Sequence, residues 1–437
     1  MLDYKLSVRR PDVDHGITHE ITLLILQLAV IIFAARISGE IFERYLKQPG
    51  VLGELIAGII LSPHLLGTHL WFPGIGQIFA PMAAGSIEAN AHVPVSLPLY
   101  SVAQLASVLL LFMAGLETNL TNFLRFAGKA SIVGAAGIVI PFFLGAMTTV
   151  WFGYAKSWLE GPALFMGSIM AATSVGITAR VLTDIRKLDT PEGTTILGAA
   201  VVDDVLGILV LAIVVNVVQS GSIHASAIAI VALKAIAIWI GLSAFFIITA
   251  PYLTKVWSWF STPGSGLVLT LAACLFAAAI CETVGLALII GAYVVGLAFS
   301  NTSIASKITG EMHGIYYVFV PVFFVVLGML VNLEVMKHAI LFGLVISLFA
   351  ILGKIIGCGA AALGCGFNNR GAVRVGIGMI PRGEVALIVA GYGLTRGVVD
   401  QNMFGVAIMM TLVTTLLAPI FLVPAFQVKG GGLRTES

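Results

Sequence analysis

Long apolar segments separated by short polar ones run along almost the whole chain. A membrane-spanning helix needs about 20 mostly apolar residues, within a range of about 17–25. By that measure the pattern predicts thirteen spans, at residues 20–38, 51–66, 98–116, 130–150, 161–182, 194–218, 225–249, 267–284, 286–299, 315–332, 339–363, 372–394 and 402–423. Twelve or fourteen spans also fit, because the second and ninth are short and the eighth and ninth barely separate. The sequence therefore predicts an all-α polytopic membrane protein with about 13 transmembrane helices.

Composition supports a bilayer as the main solvent of this chain. Of its 437 residues, 59% are hydrophobic and only 10% are charged, whereas an ordinary soluble domain is about 25% charged. The net charge of +2 gives no reason to expect a nucleic-acid partner. Neither a Walker A motif nor a hydrolase or metalloprotease constellation is present, so we expect no enzymatic activity and no cofactor.

Charges in the loops predict the orientation of the chain. Lys156, Lys337 and Arg396 are the three basic residues on one side. Twelve lie in or at the edges of the loops after the odd-numbered spans, which we call the basic side: Arg36, Arg44, Lys47, Arg125, Lys129, Arg180, Arg186, Lys187, Lys255, Lys307, Arg370 and Arg374. An excess of Lys and Arg marks the cytoplasmic face. We therefore predict a multi-pass protein with its N-terminus outside and its C-terminus in the cytoplasm, although three basic residues in the N-terminal tail argue the other way.

Short motifs recur seven spans apart. Residues 111–120, LFMAGLETNL, end span 3, and residues 325–334, VVLGMLVNLE, end span 10. The glycines of span 2 correspond to those of span 9, as Gly53 and Gly58 against Gly285 and Gly291. Chance likeness is the alternative explanation for the second match, since glycine is common in membrane helices. Because seven is odd, the matched halves cross the membrane in opposite senses.

Two inverted six-helix repeats follow from this recurrence. The first occupies residues 1–218 and the second, with a short cytoplasmic tail, residues 267–437, while residues 219–266 hold a linking helix. Inverted repeats are typical of secondary transporters, whose sites lie near the midplane where the repeats meet.

Span 6 contains two adjacent carboxylates at the depth of the bilayer centre. Asp203 and Asp204 lie about ten residues into a span of roughly 20, where each charge costs at least about 2.5–3.5 kcal/mol. Carboxylate oxygens suit both proton exchange and an alkali cation such as Na+. The alternative is a pair neutralised by buried partners for folding alone, and the cost of charges at this depth favours function.

Lys354 is a third charge at membrane depth, in span 11. It lies about fifteen residues from the outer end, too deep for its side chain to reach water easily. One of the two aspartates is its obvious counter-charge. It is either a group that releases its proton when its partner binds a cation, or one half of a structural ion pair that fixes helix packing.

Spans 5 and 12, which the repeat relates, each contain helix-breaking residues. Span 5 carries Ala-Ala-Thr-Ser-Val-Gly-Ile-Thr at residues 171–178, and span 12 carries Met-Ile-Pro-Arg-Gly-Glu-Val at residues 379–385. Paired breaks in corresponding halves point to a binding site. Thr173, Ser174 and Gly176 are predicted to form an unwound stretch there, and it offers hydroxyl and carbonyl oxygens as ligands. Arg382 and Glu384 are better suited to compensating the half-helix dipoles if the breaks cross.

The ordered set of motifs resembles the monovalent cation:proton antiporter-2 family over nearly the whole chain, closest to its napA-type sodium/proton antiporters. The resemblance rests on Gln48–Pro63 of span 2, on the Ala-Thr-Ser segment, on Val-Val-Asp-Asp-Val-Leu-Gly and on Pro-Arg-Gly-Glu-Val. It implies a homodimer in a bacterial inner membrane, with a core domain built on two crossed discontinuous helices. It also implies that Asp204 binds the ion and that Asp203 pairs with Lys354.

The function that this resemblance implies is antiport of Na+ or Li+ against H+ by elevator-like alternating access. A core with empty, charged carboxylates should not cross, because moving bare charge through hydrocarbon is costly. Family members with two aspartates and this lysine are typically electrogenic. A K+/H+ antiporter of the same family is the first alternative. A channel, which would need no titrating aspartates, and an organic-solute symporter are others.

Overall fold

The computed structural model describes residues 13–81, 94–220, 225–257 and 259–434, and these are predominantly helical. Within these ranges, ten helices are long and apolar enough to cross a membrane, and three shorter apolar helices accompany them. The three basic residues of the N-terminal tail, Lys5, Arg9 and Arg10, lie outside the described residues. A multi-pass membrane protein is therefore the architecture, while the count of thirteen spans stays a prediction.

The elements of the first half follow the predicted spans in order, with span 5 divided between α5 and α6. The chain runs through α1 (Val13–Ile41) with a π-helical turn (Phe42–Leu46), α2 (Gly50–Leu61), a short hairpin of β1 (Trp71–Phe72) and β2 (Gly76–Gln77), α3 (Leu97–Glu117), α4 (Leu120–Trp151), α5 (Gly161–Ala171), α6 (Val175–Asp184), α7 (Pro191–Ser220) and α8 (Ala225–Trp257). The hairpin corrects the prediction of an all-α chain in one detail.

The second half continues without further strands in its described part. It contains α9 (Ser265–Thr283), α10 (Leu288–Ser300), α11 (Ala305–Met329), α12 (Leu333–Met336), α13 (Ile340–Gly364), α14 (Asn369–Gly378), α15 (Glu384–Thr395) and α16 (Gln401–Gln427).

Several helices begin well before the apolar segments that predicted them. Helix α4 starts at Leu120 rather than 130, because the Asn119 side chain accepts a hydrogen bond from the Asn122 backbone and caps it there. Helix α11 starts at Ala305 rather than 315. Hydropathy detects only the part of a helix at hydrocarbon depth, whereas a capped helix continues into the polar interface.

Within the described residues the helices pack as two groups. In the first group α3 packs against α10 and α11, α2 packs against α1 and α11, and α9 packs against α10. In the second group α4 packs against α5, α7 and α13, and α13 packs against α14 and α16. Helix α8 contacts α7 of the second group as well as α9 and α10 of the first. Each group thus takes helices from both halves of the sequence, and α6 contacts both groups.

Glycines allow the closest helix contacts of the first group. A Cβ atom at Gly58 of α2 would strike the backbone of α11 at Val325, and one at Gly296 of α10 would strike the backbone of α3 at Phe112. The facing residues are also glycines, Gly328 and Gly115. In both contacts, α2 with α11 and α10 with α3, a glycine packs directly against the backbone and a glycine of the partner helix. Gly58 in the first contact corresponds to Gly296 in the second.

Residues 428–434, which we call the tail strap, are tied to the ends of α13, α14 and α7. Arg374 of α14 is buried and donates to the carbonyls of Val428 and Gly430, and it pairs with Glu192 at the start of α7 at 2.5 Å. Asn368 donates to Gly431 and Leu433. The strap joins three helix ends of the second group.

Candidate functional site

Asp203 and Asp204 lie inside the second group, on the long helix α7. Their residues are 1% and 6% exposed, respectively. Gly134 of α4 makes room for this helix, since a Cβ atom there would lie 2.7 Å from the carbonyl oxygen of Ala199. Two carboxylates are therefore enclosed by protein at the centre of the helix bundle.

Lys354 reaches Asp203 rather than Asp204. Its Nζ lies 2.9 Å from Asp203 Oδ1, and the two side chains are 0% and 1% exposed. A glycine again supplies the space: a Cβ atom at Gly137 of α4 would lie 3.3 Å from the lysine Nζ and 2.7 Å from Cys358 Sγ. The ion pair leaves Asp204 as the carboxylate without a basic hydrogen-bonding partner among the described residues.

Two helices are interrupted, and their interruptions touch. The first broken segment, residues 161–184, is non-helical over residues 172–174; the second, residues 369–395, is non-helical over residues 379–383. Ser174 N donates to Pro381 O at 2.8 Å, and Thr178 Oγ1 donates to Gly378 O at 2.7 Å. Gly176, which the sequence placed in the unwound stretch, is helical, because α6 already resumes at Val175.

Arg382 connects the ends of two half-helices. Its guanidinium donates to the carbonyl oxygens of Met170 at 2.7 Å and Ile380 at 2.8 Å, and more weakly to that of Met379 at 3.3 Å. These carbonyls lie at the C-terminal ends of α5 and α14, where helix dipoles are negative. Glu384 instead begins α15, at the positive end of a helix. No ion pair joins these two residues in the described part of the chain.

Several buried side-chain oxygens near the two interruptions and the aspartates have no hydrogen-bond partner among the described residues. They are Thr173 Oγ1, Ser174 Oγ, Asp203 Oδ2, Asp204 Oδ2 and Glu384 Oε2. A buried oxygen without a partner is costly unless a proton, a cation or water satisfies it. Among the described residues, no group of three His, Cys, Asp or Glu side chains is arranged to hold a metal ion. The carboxylate and hydroxyl oxygens named above therefore suit a hard monovalent cation better than zinc.

Two cavities lie at opposite ends of α3. The site cavity, about 330 Å³, is lined by Asp204 and Glu384 together with Tyr100, Gln104 and Glu282. The basic-side cavity, about 730 Å³, is lined by residues that include Met113, Glu117, Asp184, Arg186 and Tyr316. Gln104 and Met113 are nine residues apart on α3, a rise of about 14 Å. Asp204 therefore faces the cavity remote from the basic side.

Two basic residues assigned to loops by the sequence are buried instead. Arg180 is 7% exposed and pairs with Glu54 and Asp184, and Arg374 is 5% exposed and pairs with Glu192. Each charge is tolerated in the protein because a carboxylate accompanies it. The pairing of Arg180 with Glu54 was not predictable from the sequence, because Glu54 lies near the end of another span, 126 positions before Arg180.

The sequence also missed the glycines Gly134 and Gly137. A spacing of three places both on one face of α4, yet the chain is so rich in glycine that this spacing does not stand out.

The chain is similar to known antiporters along most of its length. The family described as "Sodium/hydrogen exchanger, transmembrane" matches residues 28–428. The high-affinity Na(+)/H(+) antiporter NhaS3 of Synechocystis sp. is 34% identical over 425 residues, which cover 92% of this chain and 90% of that protein. The Na(+)/H(+)-K(+) antiporter GerN of Bacillus cereus is 32% identical over 411 residues, covering 94% and 98%.

A solved structure shares the fold. The sodium proton antiporter MjNhaP1 from Methanocaldococcus jannaschii at pH 8 gives a TM-score of 0.66 at 16% identity, covering 94% of this chain and 99% of that one. The resemblance seen in the sequence motifs is thus confirmed at the level of the family. The chain belongs to the transmembrane sodium/hydrogen exchanger family.

Proposed function

We propose that this protein is a secondary antiporter that exchanges Na+ or Li+ for H+ across the membrane. The observation that carries the proposal is Asp204, a buried carboxylate with an unpartnered oxygen that lines a cavity. The relatives described above are named as Na+/H+ antiporters, which supports Na+ and H+ as the exchanged ions. Because a carboxylate binds either a proton or a cation, the two compete for one site, and their fluxes are coupled without ATP.

Each residue of the site has a proposed role. Asp204 and Asp203 bind the cation or the proton, with Thr173 and Ser174 contributing hydroxyl or carbonyl oxygens. Lys354 pairs with Asp203 while the site is empty and loses its proton when a cation binds, so that more than one H+ is exchanged for each cation and the exchange is electrogenic. Arg382 neutralises the half-helix ends whose carbonyls it contacts, and Glu384 neutralises the N-terminus of α15.

Elevator-like alternating access is the proposed mechanism. The second helix group carries the aspartates, the lysine and both broken segments, whereas the first group carries none of them. Movement of the second group against the first would expose the site to one side and then the other. Crossing with bare carboxylates is disfavoured, because unpaired charge at membrane depth is costly.

The remaining architectural proposals follow from the same packing. The matched contacts of Gly58 with α11 and Gly296 with α3 support two inverted six-helix repeats, with α8 as the link. The contact between the two interruptions supports crossed helices. We place thirteen spans in a bacterial inner membrane, N-terminus outside, and assign a homodimer to the exposed apolar faces of the first group.

Proton flux in liposomes tests the function. The protein is reconstituted with a preset pH gradient and a pH-sensitive dye, and Na+, Li+ or K+ is added in turn. Na+ and Li+ should dissipate the gradient, and Asp204→Asn should abolish that response, because asparagine cannot exchange a proton. Asp400→Asn is the matched control, since Asp400 is exposed at a helix N-terminus that asparagine caps equally well.

The outcomes separate the alternatives. A response to K+ alone would keep the mechanism and change the cargo, and GerN is named as an antiporter that also involves K+. If no cation moves protons, or if Asp204→Asn responds like the parent, the antiporter assignment is wrong. An organic-solute symporter or a channel would then be the next candidate to assay.

A further inference from the structure

Arg180 connects the half-helix α6 to the first helix group. Its Nη2 lies 3.4 Å from Glu54 Oε1 on α2, and its guanidinium lies over the Tyr316 ring of α11, 5.3 Å from the ring centroid. Its third contact is with Asp184 on its own helix, at 3.1 Å. Arg180 belongs to the broken segment, whereas Glu54 and Tyr316 belong to the first group. The contact therefore crosses the interface along which the two groups would move.

This cluster is buried but only partly satisfied. Glu54 is 5% exposed and Tyr316 is 3% exposed. Among the described residues, Glu54 Oε2, Arg180 Nη1 and the Tyr316 hydroxyl have no hydrogen-bond partner. Buried charges with unmade hydrogen bonds contribute little to stability, because desolvation offsets the attraction. Such a cluster suits a contact that breaks and re-forms better than one that holds a fold together.

The position of the cluster matches the side on which the site is closed. Asp184 and Tyr316 line the basic-side cavity, and neither Asp203 nor Asp204 lines it. Asp204 instead lines the site cavity at the other end of α3. The two groups are thus joined through Arg180 on one side of the molecule while the aspartates face a cavity on the other.

We propose that Glu54 and Arg180 form a latch that holds the basic side closed and breaks when the site turns to that side. Both are positioning residues, since they act through the placement of the half-helix and touch no cargo. The inference rests on the proposed alternating access. It predicts that weakening the pair shifts the equilibrium toward the arrangement open to the basic side.

Labelling of a cysteine at the interface tests the latch. Leu110 of α3 is 0% exposed, and its side chain would lie 3.3 Å from a Cβ atom at Gly176 of α6. Leu110→Cys is introduced after Cys365, the native cysteine that is not buried, is replaced by serine. Vesicles with the basic side outward are treated with a membrane-impermeant maleimide. Glu54→Gln should raise the labelling rate about tenfold, the shift that 1.4 kcal/mol of lost interaction produces.

Two further variants separate the latch from damage to the fold. Asp184→Asn removes the partner of Arg180 on its own helix and should leave the labelling rate at the parent value. The exchanged pair E54K/R180E, made together with Asp184→Asn so that no second carboxylate faces position 180, should restore slow labelling even if Glu54→Gln lowers the melting temperature. Slow labelling of Glu54→Gln, or equal acceleration by Asp184→Asn, would overturn the latch. Failure of the proposed function is distinguishable, because labelling reports movement of α6 against α3 whereas the Asp204→Asn assay reports proton flux.

Discussion

The ion pair of Lys354 and Asp203 is wholly enclosed by protein, and removing one partner leaves the other charge buried. We expect Lys354→Met to lower the free energy of unfolding by about 3–5 kcal/mol. The double variant Asp203→Asn with Lys354→Met should recover most of that loss, because no uncompensated charge remains. Denaturant unfolding of the detergent-solubilised protein, followed by tryptophan fluorescence, measures both.

Lys337 provides the matched control at this scale. It pairs with Glu334 at 2.6 Å, but the side chains are 61% and 72% exposed. Lys337→Met should therefore cost less than about 1 kcal/mol. Similar losses for the two methionine variants would show that Lys354 and Asp203 are not held as an isolated pair.

The sequence identified individual charged residues at membrane depth, but composition and spacing did not identify the ion-pair partner of each. The sequence singles out Asp203, Asp204 and Lys354 because hydrocarbon tolerates few charges. Charge and depth alone do not say which aspartate the lysine reaches, since that depends on how closely α4 and α13 approach through Gly137. Only the family resemblance implied Asp203. Arg180 was counted with the loops for the same reason, as its partner Glu54 lies on a distant helix.

At the scale of elements, the broken segments depend on one guanidinium. Arg382 spans carbonyls from two half-helices, which a lysine ammonium cannot reach together because its three donors share one nitrogen. We expect Arg382→Lys to lower the free energy of unfolding by about 1–3 kcal/mol. Arg396→Lys, at the exposed end of the same segment, should be close to neutral. Equal stability of the two lysine variants would show that the carbonyl contacts of Arg382 contribute nothing.

The residue types predicted the two helix interruptions, but they did not predict that the interruptions contact each other. Pro381 lacks a backbone N–H and Gly383 weakens a helix, so an interruption near residue 381 follows from local chemistry. The contact of Ser174 N with Pro381 O joins segments more than 200 residues apart. Local sequence also misplaced Gly176 in the unwound stretch, because a single glycine is tolerated within a helix.

At the scale of the whole molecule, equivalent glycines should be equally sensitive. Gly58→Ala and Gly296→Ala each place a Cβ atom against a facing backbone, and we expect each to cost about 1–3 kcal/mol. Gly310→Ala on α11 is the control, because nothing lies within 4 Å of its Cβ position. That variant should gain up to about 1 kcal/mol from helix propensity. Tolerance of alanine at only one of Gly58 and Gly296 would contradict an inverted repeat.

The order of the apolar segments predicted the helices, but their grouping could not be read from the chain. The sequence divides into halves at residues 219–266, whereas packing collects helices from both halves into each group. The correspondence of glycines illustrates the difference. The motifs compared Gly53 and Gly58 with Gly285 and Gly291, whereas the facing backbones relate Gly58 to Gly296, because a close approach is visible only in three dimensions.

Through the tail strap, a displacement at the carboxyl end of the described chain acts directly on helices of the second group. Arg374 of α14 and Asn368, the residue before α14, donate hydrogen bonds to carbonyls of the strap. Glu192, at the start of the helix that carries the aspartates, forms an ion pair with Arg374. A force applied at Arg434 is therefore transmitted through these hydrogen bonds and the ion pair to both α14 and α7. A fluorophore or a fused domain attached at Arg434 would therefore perturb these helices directly, because no flexible linker separates it from them.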